Sequence, residues 1–409
     1  MMTRNGRLLL SASLTLLASA AAAAAENSLS DALQQSEWTL DFRHRIEVVD
    51  EDGFGEDAEA STLRSRLTLK TGSYRGLQGL IEFSDVREIV LDNFDAGAGA
   101  TPGRSRFPVV ADAEDTRVNQ AWLGYRPSEA LELRAGRQRI KLDNDRFVGN
   151  VGWRQNEQTY DGASLTWAQD RWRLFYSYVG HVNRIFDSEV PAGDHDHDTH
   201  LAQAAFALTD EHALTGYLYA IDDEDQSAFS SRTIGLRYAG TAELGAVGGL
   251  DLLAEYAHQV DAGDNAVDYE AGYLHLRAEL ALDPRFVPRI GFERLDGSRN
   301  AGEAFRTPLA TLHAFNGWAD RFLTTPDRGL DDLYAGFSGS HDRLQWQLTW
   351  HRFETETGGT KLGDEFDASL SISLSERSSL LLQVAHFSED DPALQGVSKA
   401  WLMVSLALP

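Results

Sequence analysis

One stretch decides the fold, and it reads Arg343-Leu-Gln-Trp-Gln-Leu-Thr-Trp-His351. In an extended strand its four large apolar residues, at positions 344, 346, 348 and 350, share one face, because successive side chains point to opposite sides. The other face carries guanidinium, amide, hydroxyl and imidazole groups. We interpret the stretch as a β-strand with an apolar surface on one side and a polar surface on the other.

The same alternation recurs from one end of the chain to the other, most clearly in residues 38–48 and 63–70. Clusters of turn-forming residues separate the alternating runs. The pattern predicts about 18 strands. They lie at residues 37–50, 60–72, 76–89, 116–127, 130–141, 157–167, 171–182, 198–208, 213–222, 230–240, 250–261, 267–281, 287–296, 331–339, 342–354, 364–374, 378–388 and 397–407.

The gaps between the predicted strands alternate in length. Long polar segments such as residues 50–59 and 90–115 follow every second strand, whereas tight turns such as 73–75 and 127–129 follow the others. Long extracellular loops and short periplasmic turns are typical of an up-and-down transmembrane β-barrel, and aromatic residues near the strand ends distinguish it from a soluble β-sandwich. We therefore predict an all-β, antiparallel transmembrane barrel as the single domain of residues 26–409.

Residues 1–25 have the parts of a secretory signal peptide. Arg4 and Arg7 precede an apolar run from Leu8 to Leu17, and residues 18–25 form a small-residue tail with a cleavage site. The apolar run is shorter than the about 20 residues that a spanning helix needs. Together with a barrel, this segment predicts export to the outer membrane of a Gram-negative bacterium.

The composition excludes several classes of function. The chain has no cysteine among its 409 residues, which excludes disulfide bonds and thiolate metal sites. Its net charge of -26 disfavours a nucleic-acid partner, because phosphate binding needs a basic surface. The sequence also contains no motif of a serine hydrolase, a zinc peptidase or a phosphate-binding loop. We predict neither an enzyme nor a cofactor.

The tract Asp194-His-Asp-His-Asp-Thr-His200 has the residue types and the spacing of a zinc or copper site. The same composition is common in polar loops, and the tract begins within a predicted loop, residues 183–197. We favour the plainer interpretation of a polar loop and predict no metal.

A cationic segment suggests a family. It reads Arg134-Ala-Gly-Arg-Gln-Arg-Ile-Lys-Leu-Asp-Asn-Asp-Arg-Phe-Val-Gly-Asn-Val-Gly-Trp-Arg-Gln-Asn156. With Tyr160-Asp-Gly-Ala163, His313-Ala-Phe-Asn-Gly-Trp-Ala-Asp320 and Leu323-Thr-Thr-Pro326, it resembles the alginate-export family of outer-membrane β-barrels. The resemblance implies a barrel of similar strand number that passes an anionic polyuronate through an arginine-lined pore.

The alternation places many arginines on the polar, lumenal face of the predicted strands. A guanidinium group suits a carboxylate because it offers paired planar donors and stays protonated. The residues predicted to line the pore and bind anions are Arg43, Arg45, Arg64, Arg66, Arg134, Arg146, Arg154, Arg173, Arg237, Arg277 and Arg289. Of these, Arg146 and Arg154 belong to the predicted loop 142–156, and we expect them to fold over the mouth of the barrel.

An alternative interpretation is that these arginines pair with carboxylates of the lumen and stiffen it. Arg137 and Arg139 need separate treatment, because they share a face with Leu133 and Ala135. A bulge, or a position above the membrane, would keep them out of lipid. The candidate partners of the lumenal arginines are Asp41, Glu47, Glu82, Glu132, Glu279 and Glu293.

The longest predicted loop, residues 297–330, is rich in aromatic and apolar residues that would be unfavourable in water. A loop of this size in a compact domain is usually functional. We predict that it folds into or over the lumen as a constriction or plug. Its candidate functional residues are His313, Asn316, Trp318, Asp320 and Arg321.

These observations predict an outer-membrane porin that passes anionic saccharides or other organic anions by passive diffusion. A general or uptake porin for small organic acids remains an alternative, as does a structural or adhesive barrel. The expected partners are an anionic oligo- or polysaccharide or an organic anion, outer-membrane lipid with lipopolysaccharide, and periplasmic export proteins. The direction of transport stays open.

Overall fold

A computed structural model describes residues 28–245 and 248–409. The predicted signal peptide at residues 1–25 lies outside these ranges. In the described residues a short helix, α1 (Leu29–Gln34), precedes the strands. Ser28 and Asp31 form a capping box at its start, in which each side chain bonds the other's backbone N–H.

Eighteen strands follow in the part of the chain that the structure describes. They are β1 (Glu37–Glu51), β2 (Ala58–Lys70), β3 (Leu77–Asn93), β4 (Asp115–Ser128), β5 (Leu131–Gln138), β6 (Thr159–Gln169), β7 (Trp172–Asn183), β8 (Asp194–Ala207), β9 (His212–Ile221), β10 (Ser231–Glu243), β11 (Gly249–Asp261), β12 (Glu270–Ala281), β13 (Val287–Leu295), β14 (Leu330–His341), β15 (Leu344–Glu354), β16 (Lys361–Ser375), β17 (Ser378–Glu389) and β18 (Val397–Leu408).

Each strand pairs antiparallel with the next one, and β1 also pairs with β18, so the sheet closes on itself. The closing register runs from Leu40 opposite Leu408 to Glu51 opposite Val397. A closed sheet leaves no edge strand, and it satisfies the backbone hydrogen bonds that lipid cannot. The predicted fold, an antiparallel barrel of 18 strands, is confirmed.

The alternation read from the sequence separates the two faces of the wall. In β15, Leu348 is 40% exposed whereas the adjacent Thr349 is 1% exposed. In β10, the outward Ile234 and Leu236 are likewise exposed, and Thr233 is buried. An apolar outer band of this kind suits contact with lipid tails.

Among the described residues, no helix combines the length and the apolar character needed to cross a membrane.

The interior contains two long loops, the β5–β6 loop (residues 139–158) and the β13–β14 loop (residues 296–329). They bind each other directly: the Gly149 N–H donates to the Leu309 carbonyl oxygen at 2.9 Å, and the Thr311 N–H donates to that of Asp145 at 2.9 Å. Both loops therefore form one layer inside the wall.

An apolar core lies where this layer meets the wall. Phe147 of the β5–β6 loop packs with ring centroids 5.3 Å from Tyr217 of β9, 5.1 Å from Tyr273 of β12 and 5.9 Å from Phe305 of the β13–β14 loop. All four rings are buried. Burial of this aromatic area stabilises the docked position of the loops.

The sequence was misread at the start of β8. Residues 194–197 were predicted to be loop, but they pair with β7, where His195 lies opposite Val182. His195, His197 and Thr199 point inward and are buried, while the residues between them are exposed. Because both faces of this segment are polar, it lacks the apolar alternation on which the prediction depended.

Candidate functional site

Two arginines of β1 hold the β5–β6 loop by its backbone. Arg43 donates from Nε to Gln155 Oε1 at 2.9 Å and from Nη1 to the Gly152 carbonyl oxygen at 2.8 Å. Arg45 donates from Nη1 to the carbonyl oxygen of Trp153 at 2.6 Å. Its guanidinium group also lies 4.3 Å from the centre of the Trp153 ring. These two predicted pore residues therefore fix a loop.

A buried network of charges extends from this contact across the lumen. Glu47 Oε2 lies 2.9 Å from Arg45 Nη2 and 3.1 Å from Arg154 Nη1. Arg154 Nη2 and Lys399 Nζ each lie 3.0 Å from Asp320 Oδ2, which belongs to the β13–β14 loop. Burial acts to raise the pKa of Asp320, but His313, Lys399 and Arg154 hold that pKa well below its usual range.

A second group surrounds Glu157, the last acidic residue of the β5–β6 loop. Arg66 of β2 and Arg139 both form ion pairs with its carboxylate, and Arg139 Nη2 also lies 2.5 Å from Glu82 Oε1. Burial acts to raise the pKa of Glu157, yet Arg66 and Arg139 lower that pKa to about 2. Arg64 is paired with Asp41 at 2.6 Å.

The structure explains how Arg137 and Arg139 avoid lipid, although the alternation placed them on the same face as Leu133 and Ala135. Arg139 follows the last residue of β5, so it is free of the strand alternation and turns inward to its carboxylates. Arg137 stays in β5, where its Nε lies 2.8 Å from Oδ1 of Asp161, the residue directly opposite on β6. Its charge is compensated by a cross-strand partner.

Arg146 joins both loops to the wall. Its Nε lies 2.6 Å from Glu293 Oε1 of β13, and its Nη2 donates to Asn316 Oδ1 at 3.0 Å. The guanidinium group also lies 4.8 Å from the centre of the Phe315 ring. At 2% exposure Arg146 is inaccessible to a solute. Arg146 and Arg154 are therefore enclosed by the loops rather than folded over the mouth.

The predicted plug residues lie at contacts of the β13–β14 loop with its surroundings. His313 Nδ1 is 2.7 Å from Asp320 Oδ1, and its ring stacks on Trp153 at 4.2 Å. The Trp318 N–H lies 3.3 Å from Asp367 Oδ2, and Arg321 Nη2 lies 2.5 Å from Glu51 Oε1. Burial lowers the pKa of His313, and this effect exceeds the opposing one of Asp320.

Four of the five remaining predicted arginines line two cavities beside the loops. The first, of about 360 Å³, is bounded by Arg277, Arg289, Glu293, Asp332 and Asp367. Arg289 there donates to Thr349, and Arg277 Nε lies 3.3 Å from Glu279 Oε1. Arg237 is separate from both cavities and pairs with Glu255 at 3.2 Å.

The second cavity, of about 430 Å³, lies under the β5–β6 loop, and we term it the Arg173 cavity. Arg134 is 2.7 Å from Glu132 and stacks over Trp122 at 4.2 Å. Arg173 of β7 is exposed, and among the described residues no carboxylate lies within ion-pair distance of it. The charged residues of its wall are Arg134, Arg139, Lys141, Arg173, Glu132 and Asp143.

Sequence reasoning missed the residues whose role depends on a distant partner. Lys399 of β18 is buried against Asp320, but its strand face also carries the buried Trp401, which hides the polar pattern. Gln155 donates to Thr62 Oγ1 at 3.0 Å and accepts from Arg43. Because Gln155 lies in a loop, no alternation of polar and apolar residues indicates where its side chain points.

The comparisons with known proteins agree with this architecture. A family model described as "Alginate export" matches residues 35–316, which is more than half of the 409-residue chain. No curated protein matches the sequence.

Several solved structures share the fold at low identity. OccAB2 of Acinetobacter baumannii has 15% sequence identity and a TM-score of 0.72, over 94% of this chain and 99% of that one. OpdL of Pseudomonas aeruginosa has 16% identity and a TM-score of 0.70, over 92% and 99%. OpdK of the same organism, solved with vanillate, has 12% identity and a TM-score of 0.70, over 92% and 99%. The family match, with the closed barrel of 18 strands, shows that the chain belongs to the alginate-export family of outer-membrane β-barrels.

Proposed function

We propose that this barrel is an outer-membrane porin that passes organic anions by diffusion, and that the Arg173 cavity selects them. The observation that carries the proposal is the charge of the cavity wall. It has four cationic side chains, Arg134, Arg139, Lys141 and Arg173, and two acidic ones, Glu132 and Asp143. A wall with excess positive charge attracts an anion and repels a cation.

The part of this charge that has no ion-pair partner among the described residues belongs to Arg173. Arg139 and Lys141 have carboxylates of their own, Glu157 and Asp145. Arg173 has none among the described residues and faces the open cavity. It therefore has its guanidinium donors available for a carboxylate that passes.

The surroundings of Asp143, one of the two acidic groups, act on its ionisation in opposite directions. Burial raises the pKa of Asp143 above its usual value, whereas Arg237 and the hydrogen bond that Oδ2 accepts from Gln203 at 2.6 Å oppose this rise. Even with both acidic groups ionised, the four cationic side chains of the wall outnumber them.

The dimensions favour a small organic anion or a short segment of an anionic saccharide. The cavity volume of about 430 Å³ falls within the usual range of small-molecule sites, ~300–1,000 Å³. The vanillate named with OpdK is an aromatic carboxylate of this class. This size supports uptake of small organic acids as the second candidate beside passage of a polyuronate.

Ion selectivity in planar lipid bilayers tests the proposal. We expect a reversal potential that corresponds to preferential anion passage, and a lower anion preference in Arg173→Gln. Arg171→Gln is the matched control, because it removes the same charge two residues away, at the turn where Arg171 donates to the Leu208 carbonyl oxygen. The proposal is wrong if the channel is cation-selective, or if Arg173→Gln and Arg171→Gln shift the reversal potential equally.

Current block distinguishes the two classes of anion. Small aromatic carboxylates and short uronate oligomers are added separately to the open channel, and the concentration that halves the current is measured. Stronger block by the oligomer supports saccharide passage, whereas stronger block by the small carboxylate supports uptake of organic acids.

A further inference from the structure

Two histidines and one aspartate, which are common metal ligands, converge where β8 begins and β9 ends. This is the side of the barrel that carries the long loops. His195 and His197 lie on the inward face of β8, and Asp223 lies two residues after the last residue of β9. Their exposed fractions are 1%, 4% and 1%. One ligand atom from each lies within 4.8 Å of the other two.

The distances approach those of a coordination sphere. Asp223 Oδ2 lies 2.8 Å from His195 Nδ1 and 3.7 Å from His197 Nε2. Tetrahedral ligands at bond lengths of ~2.0–2.1 Å are about 3.3 Å apart. Small movements of the side chains would therefore admit an ion between them.

The carboxylate of Asp223 is held in place through its other oxygen, Oδ1. Asp223 Oδ1 accepts from the backbone N–H of Gln226 at 2.8 Å and of Asp225 at 3.2 Å. These bonds fix the orientation of the group, and Oδ2 faces the two imidazoles.

An independent observation comes from His197. Its Nε2 is buried and has no hydrogen-bond partner. The other ring nitrogen, Nδ1, lies 3.1 Å from Thr199 Oγ1, which also accepts from the Asp222 N–H at 3.1 Å. If Nδ1 donates to Thr199, Nε2 carries a lone pair that points at Asp223. A buried acceptor without a donor is unfavourable, and a cation would satisfy it.

We propose that His195, His197 and Asp223 bind a divalent transition-metal ion of the zinc class. Two imidazole nitrogens and one carboxylate oxygen match the protein ligands of a zinc site with a fourth position left for water. Calcium and magnesium are excluded because they take oxygen ligands. The ion would join the β9–β10 loop, residues 222–230, to β8.

One charge near the site opposes the binding of a cation. Arg184, just after β7, interacts electrostatically with Asp223 and opposes the approach of a second cation. The predicted affinity therefore depends on Arg184.

Metal titration of the whole barrel tests the site. The full chain, purified in detergent and freed of metal with a chelator, is titrated with Zn²⁺ by calorimetry and with Co²⁺ by visible absorption. We expect one ion per chain, with a cobalt spectrum of tetrahedral type. Loss of a residue that only hydrogen-bonds a metal ligand typically weakens metal binding roughly 10–100-fold. His197→Gln and Asp223→Asn each remove a direct ligand, so we expect at least this loss of affinity.

His200→Gln is the matched control, because His200 lies on the same strand with its side chain 48% exposed on the opposite face. We expect its affinity to equal that of the unchanged protein. Arg184→Gln should tighten binding, which a misfolded variant would not do. The proposal is overturned if the unchanged protein binds no Zn²⁺, if His200→Gln loses the ion while His197→Gln keeps it, or if Arg184→Gln fails to tighten binding.

Discussion

At the scale of single residues, the role of an arginine here follows from its partner. Arg154 is buried between Glu47 and Asp320, whereas Arg173 is exposed and has no carboxylate partner in the described part of the chain. A buried ion pair is unfavourable to break, because the remaining charge is left without solvent. Five of the eleven predicted pore arginines thus hold the loops, namely Arg43, Arg45, Arg66, Arg146 and Arg154. Five others bond to residues of the wall, namely Arg64, Arg134, Arg237, Arg277 and Arg289.

Removal of Arg154 should destabilise the docked loops. Arg154→Met leaves Glu47 and Asp320 with fewer partners. Breaking a buried ion pair typically lowers the free energy of unfolding by about 3–5 kcal/mol. Denaturant unfolding in lipid vesicles, followed by tryptophan fluorescence, measures the loss. Arg285→Gln is the control, because that arginine is exposed in a turn beside Asp283 and should change nothing measurable. Equal effects of the two substitutions would contradict the assignment.

Acid should loosen the same contact through His313. Burial lowers its pKa in the folded state, with Asp320 opposing, so the folded protein binds fewer protons there than the unfolded chain. The stabilisation is therefore complete above the unfolded pKa of about 6.5 and is lost as the pH falls below that value. Channel noise recorded between pH 8 and pH 4 should rise on the acid side. His313→Gln should remove this transition, and a transition that persists unchanged would exclude His313 as its cause.

At the scale of elements, strands were predictable from sequence, and the contacts that hold the loops were not. Period-two alternation is a local property, so residues such as Leu348 and Thr349 reveal their faces without any knowledge of the fold. The contacts of the loops join distant residues: Arg146 and Glu293 are 147 positions apart, and Arg321 and Glu51 are 270 apart. Neither composition nor spacing indicates such pairs, so the sequence could supply the cationic residues of the candidate site but not their partners.

The stem of the β13–β14 loop depends on a close approach of two glycines. A Cβ atom on Gly297 would lie 1.8 Å from the backbone nitrogen of Gly329, which itself has a φ of +74°. Gly297→Ala should therefore force the stem apart, with a loss of about 1–3 kcal/mol typical of overpacking. Unfolding measurements check the loss, and single-channel recordings should show added gating. Gly55→Ala, at a position with nothing within 4 Å, should leave both unchanged; a similar effect there would refute the steric explanation.

At the scale of the whole molecule, an 18-stranded wall encloses a lumen that its own loops fill. Barrels of this strand number otherwise leave an aqueous channel. Here the β5–β6 loop and the β13–β14 loop leave cavities of about 360 and 430 Å³ beside them. The wall therefore sets the maximum width of the pathway, and the loops set its actual width and charge.

Deletion of the β13–β14 loop should widen the pathway. Because Gly297 and Gly329 touch, residues 298–328 can be removed and the stem rejoined without a change in the wall. We expect higher single-channel conductance and weaker ion selectivity, since a wider lumen holds more water and screens its charges. Shortening the β1–β2 loop, whose Gly55 lies in open space, is the control. Unchanged conductance after the deletion would show that this loop does not limit the flow.

The bonds of the β5–β6 loop have a mechanical consequence. The loop is tied to β1 through Arg43 and Arg45 and to β13 through Arg146, so it spans the interior between distant parts of the circumference. A hollow cylinder under lateral load from a bilayer yields first by becoming oval. A strut across its interior, fixed at both ends by buried charges, resists that deformation and keeps the cross-section round.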